Sequence, residues 1–195
     1  MKMNVAKLLY RNYGMYNSLG PNILKYKNYE PKIDKSAFIA GGSHIIGKVE
    51  IGRDSSIWFN CVVRGDVGNI KIGDETNIQD GTVIHVSRNE GGDTLIGNMV
   101  TVGHFCLLHA CKLHDKAFVG MGAVVMNNAV VESEGMVAAG SLVTNGKVIK
   151  SGEIWSGRPA KLFRKMSDEE IKHITESAKN YVEVMNEYKN CSQNI

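Results

Sequence analysis

The stretch LHDKAFVGMGAVVMNNAVVESEGMVAAGSLVTNGKVI, residues 113–149, decides the fold. A branched aliphatic stands at every sixth position: Leu113, Val119, Val125, Val131, Val137, Val143 and Ile149. A small residue follows four places later at Ala117, Ala123, Ala129 and Ser141. A period of six is neither the 3.6 of a helix nor the 2 of a lone strand. It describes a short strand and a turn, repeated, with one large and one small side chain pointing inward per unit. Such a unit cannot bury its own apolar face, so the units must stack.

Working toward the N-terminus, the same period runs through Ile33, Ile39, Ile45, Ile51, Ile57 and Val63. It resumes at Ile72, Ile78 and Ile84, and again at Ile96, Val102 and Leu108. Three extra residues separate Val63 from Ile72, and one is missing between Leu108 and Leu113. Cys61, Thr76, Thr82 and Cys106 are among the small residues of this half. Glycine often follows the aliphatic, as in Ile51-Gly52, Ile72-Gly73 and Ile96-Gly97. Glycine there suits a close backbone approach or an unusual φ.

The pattern resembles the hexapeptide-repeat family. That resemblance implies an all-β solenoid, a left-handed parallel β-helix of triangular section with three hexads per coil. Counted so, 33, 51, 72, 96, 113, 131 and 149 share a first face. Positions 39, 57, 78, 102, 119 and 137 share a second, and 45, 63, 84, 108, 125 and 143 a third. This makes about six to seven coils, and it requires Glu90 to Leu95 to leave the coil as a loop.

The chain divides into an N-terminal arm or short helix (1–22), the β-helix (23–154), and a linker, C-terminal helix and tail (155–195). The helix is signalled by the capping box Ser167-Asp-Glu-Glu170. Ile171, Ile174, Ala178, Tyr181, Val182, Met185 and Tyr188 then repeat at helical spacing, a stripe that packs along the prism. The balance of 23 Lys+Arg against 20 Asp+Glu gives +3 over 195 residues, too mild to indicate nucleic acid as a partner. No apolar run reaches the roughly 18–20 residues of a membrane span. Cys61, Cys106, Cys111 and Cys191 form no C-x-x-C pair, so a thiolate zinc site has no support in spacing. With no signal peptide evident, a cytoplasmic location is expected.

Of six histidines, three fall in register. His85 is one past Ile84 and His109 one past Leu108, the same place on the third face one coil apart. Adjacent strands lie about 4.8 Å apart, so both rings can reach one metal at a Zn–N distance of about 2.0–2.1 Å. His104 is two past Val102, on the second face. Outward groups on two faces of a convex prism diverge, so the trio meets only if another copy comes alongside. A shared metal therefore requires a symmetric oligomer, and three-fold is natural for a triangular prism. Arg64 lies one coil below His85 and Asp80 one coil below His104; Gln79 shares Asp80's strand, and Asp66 follows Arg64 by two. Carboxylates orient imidazoles, and an arginine pairs with a carboxylate. His44, His114 and His173 have no such register and read as surface residues.

The stretch IWFNCVVRGDVGNIKIGDETNIQDGTVIHV, with TVGHFCLLHACKLHD, GMGAVV and WSGRPAKL, closely resembles the γ-class carbonic anhydrase family. The resemblance covers roughly 23–190. It implies a homotrimer in which a divalent metal, Zn2+ first with Fe2+ or Co2+ as alternatives, lies between subunits. His85 and His109 would come from one chain and His104 from its neighbour. Gln79 would contact the metal-bound water, and Arg64 and Asp66 would pair across the interface, supported by Asp80. The implied chemistry is reversible hydration of CO2 to bicarbonate by a metal-bound hydroxide, a lyase activity. This sequence departs from the best-studied members at the proton-carrying glutamates. Val67 stands at one position, and the loop VSRNEGGDTL is short, offering only Glu90 and Asp93. Two other functions remain open: an acyl-CoA-dependent transferase or thioesterase of the hexapeptide-repeat type, and a metal-binding scaffold without turnover.

Overall fold

An inward aliphatic at every sixth residue needs a like neighbour above and below, and strands stacked at one-coil intervals supply both. The computed structural model describes residues 20–88 and 91–192. The expected arm at 1–22 falls almost wholly outside them. Face one stacks β2 (Lys32–Ile33), the far end of β4 (His44–Ile51), that of β6 (Val62–Ile72), then β9 (Thr94–Ile96), β12 (Lys112–Leu113), β15 (Val130–Val131) and β18 (Val148–Ile149). Face two stacks β3 (Phe38–Ile39), β5 (Ser56–Ile57), β7 (Asn77–Ile78), β10 (Thr101–Val102), β13 (Phe118–Val119), β16 (Met136–Val137) and β19 (Glu153–Gly157). Face three stacks β1 (Asn22–Leu24), the near ends of β4 and β6, β8 (Val83–His85), β11 (Leu107–His109), β14 (Val124–Val125) and β17 (Leu142–Val143). All these pairings are parallel, as the expected β-helix requires, and they run for about seven coils.

The register follows the aliphatics. Ile72 pairs with Ile51 and Ile96, Ile78 with Ile57 and Val102, and Leu108 with Ile84 and Val125. Ile78, Ile84, Leu108, Val119 and Val125 are wholly buried in one continuous core. Each such side chain contributes roughly 1.5–3 kcal/mol by leaving water. The glycine after the aliphatic answers to close approach, not to φ. A Cβ on Gly73 would lie 2.5 Å from Asn98 Oδ1 and 2.6 Å from the Gly97 carbonyl oxygen, and its φ is not left-handed.

The extra residues after Val63 and the loop expected after Ile84 have different outcomes. Between Gly47↔Gly65 and Val49↔Ile70 the ladder slips, so residues 66–69 oppose the single residue Lys48. This bulge contains Asp66, whose side chain is largely buried. The loop expected at 90–95 does not extend over its last two positions. Thr94 and Leu95 already belong to β9, and the loop closes where the Ser87 N–H donates to the Gly92 carbonyl at 2.8 Å. Thr94 is buried, with its hydroxyl donating to the His85 carbonyl at 2.6 Å, and this draws the strand start two residues back.

At the C-terminal end β19 pairs antiparallel with β20 (Ala160–Lys165), a hairpin in what the sequence reads as the end of the coils and a linker. The helix α1 (Asp168–Ser192) then returns along face two and packs on β5, β7 and β10. Its start is the expected capping box: the Ser167 N–H donates to Glu170 Oε2 at 2.9 Å, and the Glu170 N–H donates to Ser167 Oγ at 3.3 Å. Ile174, Ala178 and Met185 are fully buried, so the apolar stripe serves packing. Among the described residues no helix is long and apolar enough to cross a membrane.

The outward sides of the faces differ. Face two lies under α1. Face one turns Lys32, Glu50, Lys71 and Lys112 outward. Face three turns out an aliphatic column, Val62, Val83, Leu107, Val124 and Leu142; Val83 and Leu107 are 37% and 40% exposed.

Candidate metal centre

β8 and β11 lie side by side on face three, with His109 directly opposite His85. An outward ring one residue past each buried aliphatic is a consequence of strand alternation. The two rings sit 5.2 Å apart, with His85 Nδ1 facing His109 Nε2 at 3.2 Å. Their other nitrogens are engaged. His85 Nε2 lies 3.0 Å from Asp66 Oδ1, and His109 Nδ1 lies 2.7 Å from Asn127 Oδ1. A carboxylate and an amide oxygen only accept, so each of these nitrogens carries the proton. With one proton on each ring the facing nitrogens each present a lone pair, and a proton or a metal ion between them joins the two. Two ligands of a tetrahedral ion at about 2.0–2.1 Å stand about 3.3 Å apart. The pair therefore fits one shared ion of the zinc type, with carboxylate and amide partners holding the tautomers.

Arg64, opposite His85 on the next coil, donates to Asp66 Oδ2. In the single chain this pairing is internal. Burial acts to raise the Asp66 carboxyl. Hydrogen bonds from His85 and Arg64 outweigh it and hold the group below its ordinary range.

His104 stands apart on the corner between faces two and three. Its Nδ1 lies 2.8 Å from Asp80 Oδ2, while Asp80 Oδ1 accepts the Phe59 N–H at 3.0 Å. Gln79 is buried, and its Nε2 donates to Asn77 Oδ1 at 3.1 Å. Asn77 is held in turn by donating to Thr101 Oγ1 at 2.9 Å. The Gln79 amide is thus fixed by its donor end. The expected residues fall into two groups in one chain: Arg64, Asp66, His85 and His109 on face three, and Gln79, Asp80 and His104 toward face two. Among the described residues no three His, Cys, Asp or Glu side chains of one chain gather into a metal site.

Asn127 was not among the expected residues. It sits two past Val125, one residue beyond Met126, which continues the histidine column one coil above His109, so the count of hexads does not single it out. Asp93 donates nothing to the site; its carboxylate accepts from Asn69 N–H and Nδ2 at 2.7 and 2.9 Å and braces the bulge. Glu90 lies outside the described residues. Cys61, Cys106 and Cys111 are buried, and burial pushes their thiols up to about 12, 11 and 12. They are neutral core residues, not thiolates.

Residues 30–65 match the family model described as bacterial transferase hexapeptide, six repeats. The chain is 53% identical over 156 residues to "Gamma carbonic anhydrase 2, mitochondrial" of Arabidopsis thaliana, covering 78% of this chain and 56% of that one. It is 44% identical over 171 residues to "Carbonic anhydrase" of Geobacillus kaustophilus, covering 88% and 93%. A crystal structure of a hexapeptide transferase family protein from Anaplasma phagocytophilum superimposes with a TM-score of 0.83 at 52% identity, covering 86% and 98%. The chain spans little more than half the length of the Arabidopsis relatives.

Proposed function

This chain belongs to the γ-class carbonic anhydrase family, and from that premise we propose that it hydrates CO2 reversibly to bicarbonate with a divalent metal, zinc foremost, held between copies of the chain. The observation that carries the reading is the His85–His109 pair, two lone pairs 3.2 Å apart with their tautomers fixed from outside. When bound there, the ion supplies Lewis acidity, bringing the pKa of a water to about 7 so that a nucleophile exists at neutral pH.

The chain's own residues do the rest. Asp66 and Asn127 keep the protons of His85 and His109 on their outer nitrogens. In each copy Asp80 does the same for its own His104, and the His104 of a neighbouring copy completes the set of three. Arg64 holds Asp66 in place. Gln79, tied at Nε2, keeps Oε1 free to accept from the attacking water. The aliphatic column on face three supports association, because a solvated parallel sheet has no use for five outward aliphatics in a row. A triangular prism closes such a contact as a trimer. With Val67 in place of a carboxylate and Asp93 engaged in the bulge, the proton leaves to buffer, so turnover should rise with buffer concentration.

The test is the rate of CO2 hydration by the metal-loaded protein, by chelated protein and by His104→Ala. The expected result is a metal-dependent rate that the substitution removes. No metal-dependent rate at any buffer concentration overturns the proposal. The family model and the Anaplasma structure carry transferase names, which keeps a second reading in view. An acyl-CoA-dependent transfer or hydrolysis indifferent to chelators would favour it, and a trimer with bound ion but no turnover would favour a scaffold.

A further inference from the structure

We propose that the cleft between α1 and face two is a binding site for a small organic cation, an amine carried on an aromatic or apolar body. The cleft measures about 430 Å³. Trp58 and Phe59 of face two form its back, Tyr181, Val184 and Tyr188 of α1 its front, and Asp80 supplies its charge. The volume falls within the range of about 300–1,000 Å³ typical of small-molecule sites.

Tyr181 and Tyr188 are seven residues apart, two helical turns, so they stand on one side of α1 about 10 Å apart along its axis. Val184 lies between them. Both rings meet Trp58 edge-on, at 5.6 Å and 76° for Tyr181 and 5.2 Å and 89° for Tyr188. Phe38 and Phe59 also pack on Trp58 and Tyr188, and Trp58 is buried, so the ring surface an occupant meets is that of Phe59 and Tyr188. Solvent reaches the cleft: Phe59, Val184 and Tyr188 are 37%, 37% and 43% exposed.

Asp80 accepts one hydrogen bond on each oxygen, from Phe59 N–H and His104. A carboxylate offers about four acceptor positions, so capacity for an ammonium remains. Burial, and then the charge of Asp80, raise the Tyr181 phenol above its ordinary range, consistent with a carboxylate directed at the ring's end of the cleft. No Lys or Arg lines the cleft among the described residues. Aromatic faces and one carboxylate, with no opposing cation, select a cation and reject an anion. Because Asp80 also holds His104, an occupant touches the edge of the candidate metal centre.

The test is calorimetric titration of the full-length, metal-loaded protein with phenethylamine and with its neutral analogue 2-phenylethanol. It reads binding alone, so it stands whether or not CO2 is hydrated. The amine should bind saturably, and about tenfold or more tighter than the alcohol. Val184→Trp, which fills the cleft, should abolish binding. Tyr188→Leu, at the open rim, should weaken it and keeps the test valid if the larger side chain prevents folding. Equal binding of amine and alcohol, no saturable binding, or undiminished binding to both variants overturns the proposal. So does a change in the mass of the assembly on Val184→Trp, which would make the cleft a contact between copies.

Discussion

Replacing Asn127 with alanine removes one acceptor from the histidine pair and little else. Asn127 Oδ1 takes the His109 Nδ1 proton at 2.7 Å. Without it the proton is free to move to Nε2, the nitrogen that faces His85 and would hold the ion. Partners that fix a ligand's tautomer are worth about 10–100-fold in metal affinity, which is about 1.4–2.8 kcal/mol. The hydrogen bond itself contributes only about 0.5–1.5 kcal/mol to folding. Asn127→Ala should therefore lower zinc affinity by about 10–100-fold while shifting the urea midpoint of the metal-free chain only slightly. Asn127→Asp should preserve affinity, since a carboxylate accepts the same proton. Competition for zinc against a chromophoric chelator reads the first effect. An affinity in Asn127→Ala within twofold of the unmodified chain would refute the tautomer argument.

Leu107 and Leu108 are neighbours with opposite roles, one outward on face three and one wholly buried. Leu108→Ala should cost about 2–5 kcal/mol in thermal or urea unfolding, whereas Leu107→Asp should leave the secondary structure unchanged and dissociate the assembly in mass measurements. Hydrogen bonds from Arg164 and from the Ser167 N–H bring the Glu170 carboxyl down to about 2, from an ordinary value of 4.5. A lowered folded-state value contributes stability that is complete above the ordinary value and lost as pH falls toward the folded one. The stability difference between the unmodified chain and Glu170→Gln should thus hold above pH 4.5 and vanish toward pH 2, as read by urea unfolding across that range.

Most of the solenoid was legible because each hexad commits one large side chain to the interior. That single constraint sets the register, as at Leu108 between Ile84 and Val125. It cannot place what points outward or leaves the coil. The loop end was misjudged because Thr94 is fixed by its hydroxyl bond to the His85 carbonyl, which an aliphatic count does not register. The hairpin of β19 and β20 escaped because it pairs antiparallel, outside the period of six. The facing of His85 and His109 followed from counting alone. Asn127 and the Asn77–Gln79 contact did not, since amides carry no periodic signal and are recognised by what they touch.

The most direct test of a site shared between copies is complementation. His104→Ala and His85→Ala chains each lack one imidazole, but a mixed assembly brings the intact His104 of one against the intact His85 and His109 of the other. Each variant alone should bind no zinc tightly, and co-expressed, co-purified chains should recover tight zinc binding at the mixed contacts. No recovery in assemblies shown by mass to contain both chains, or full zinc binding by either variant alone, would contradict the account.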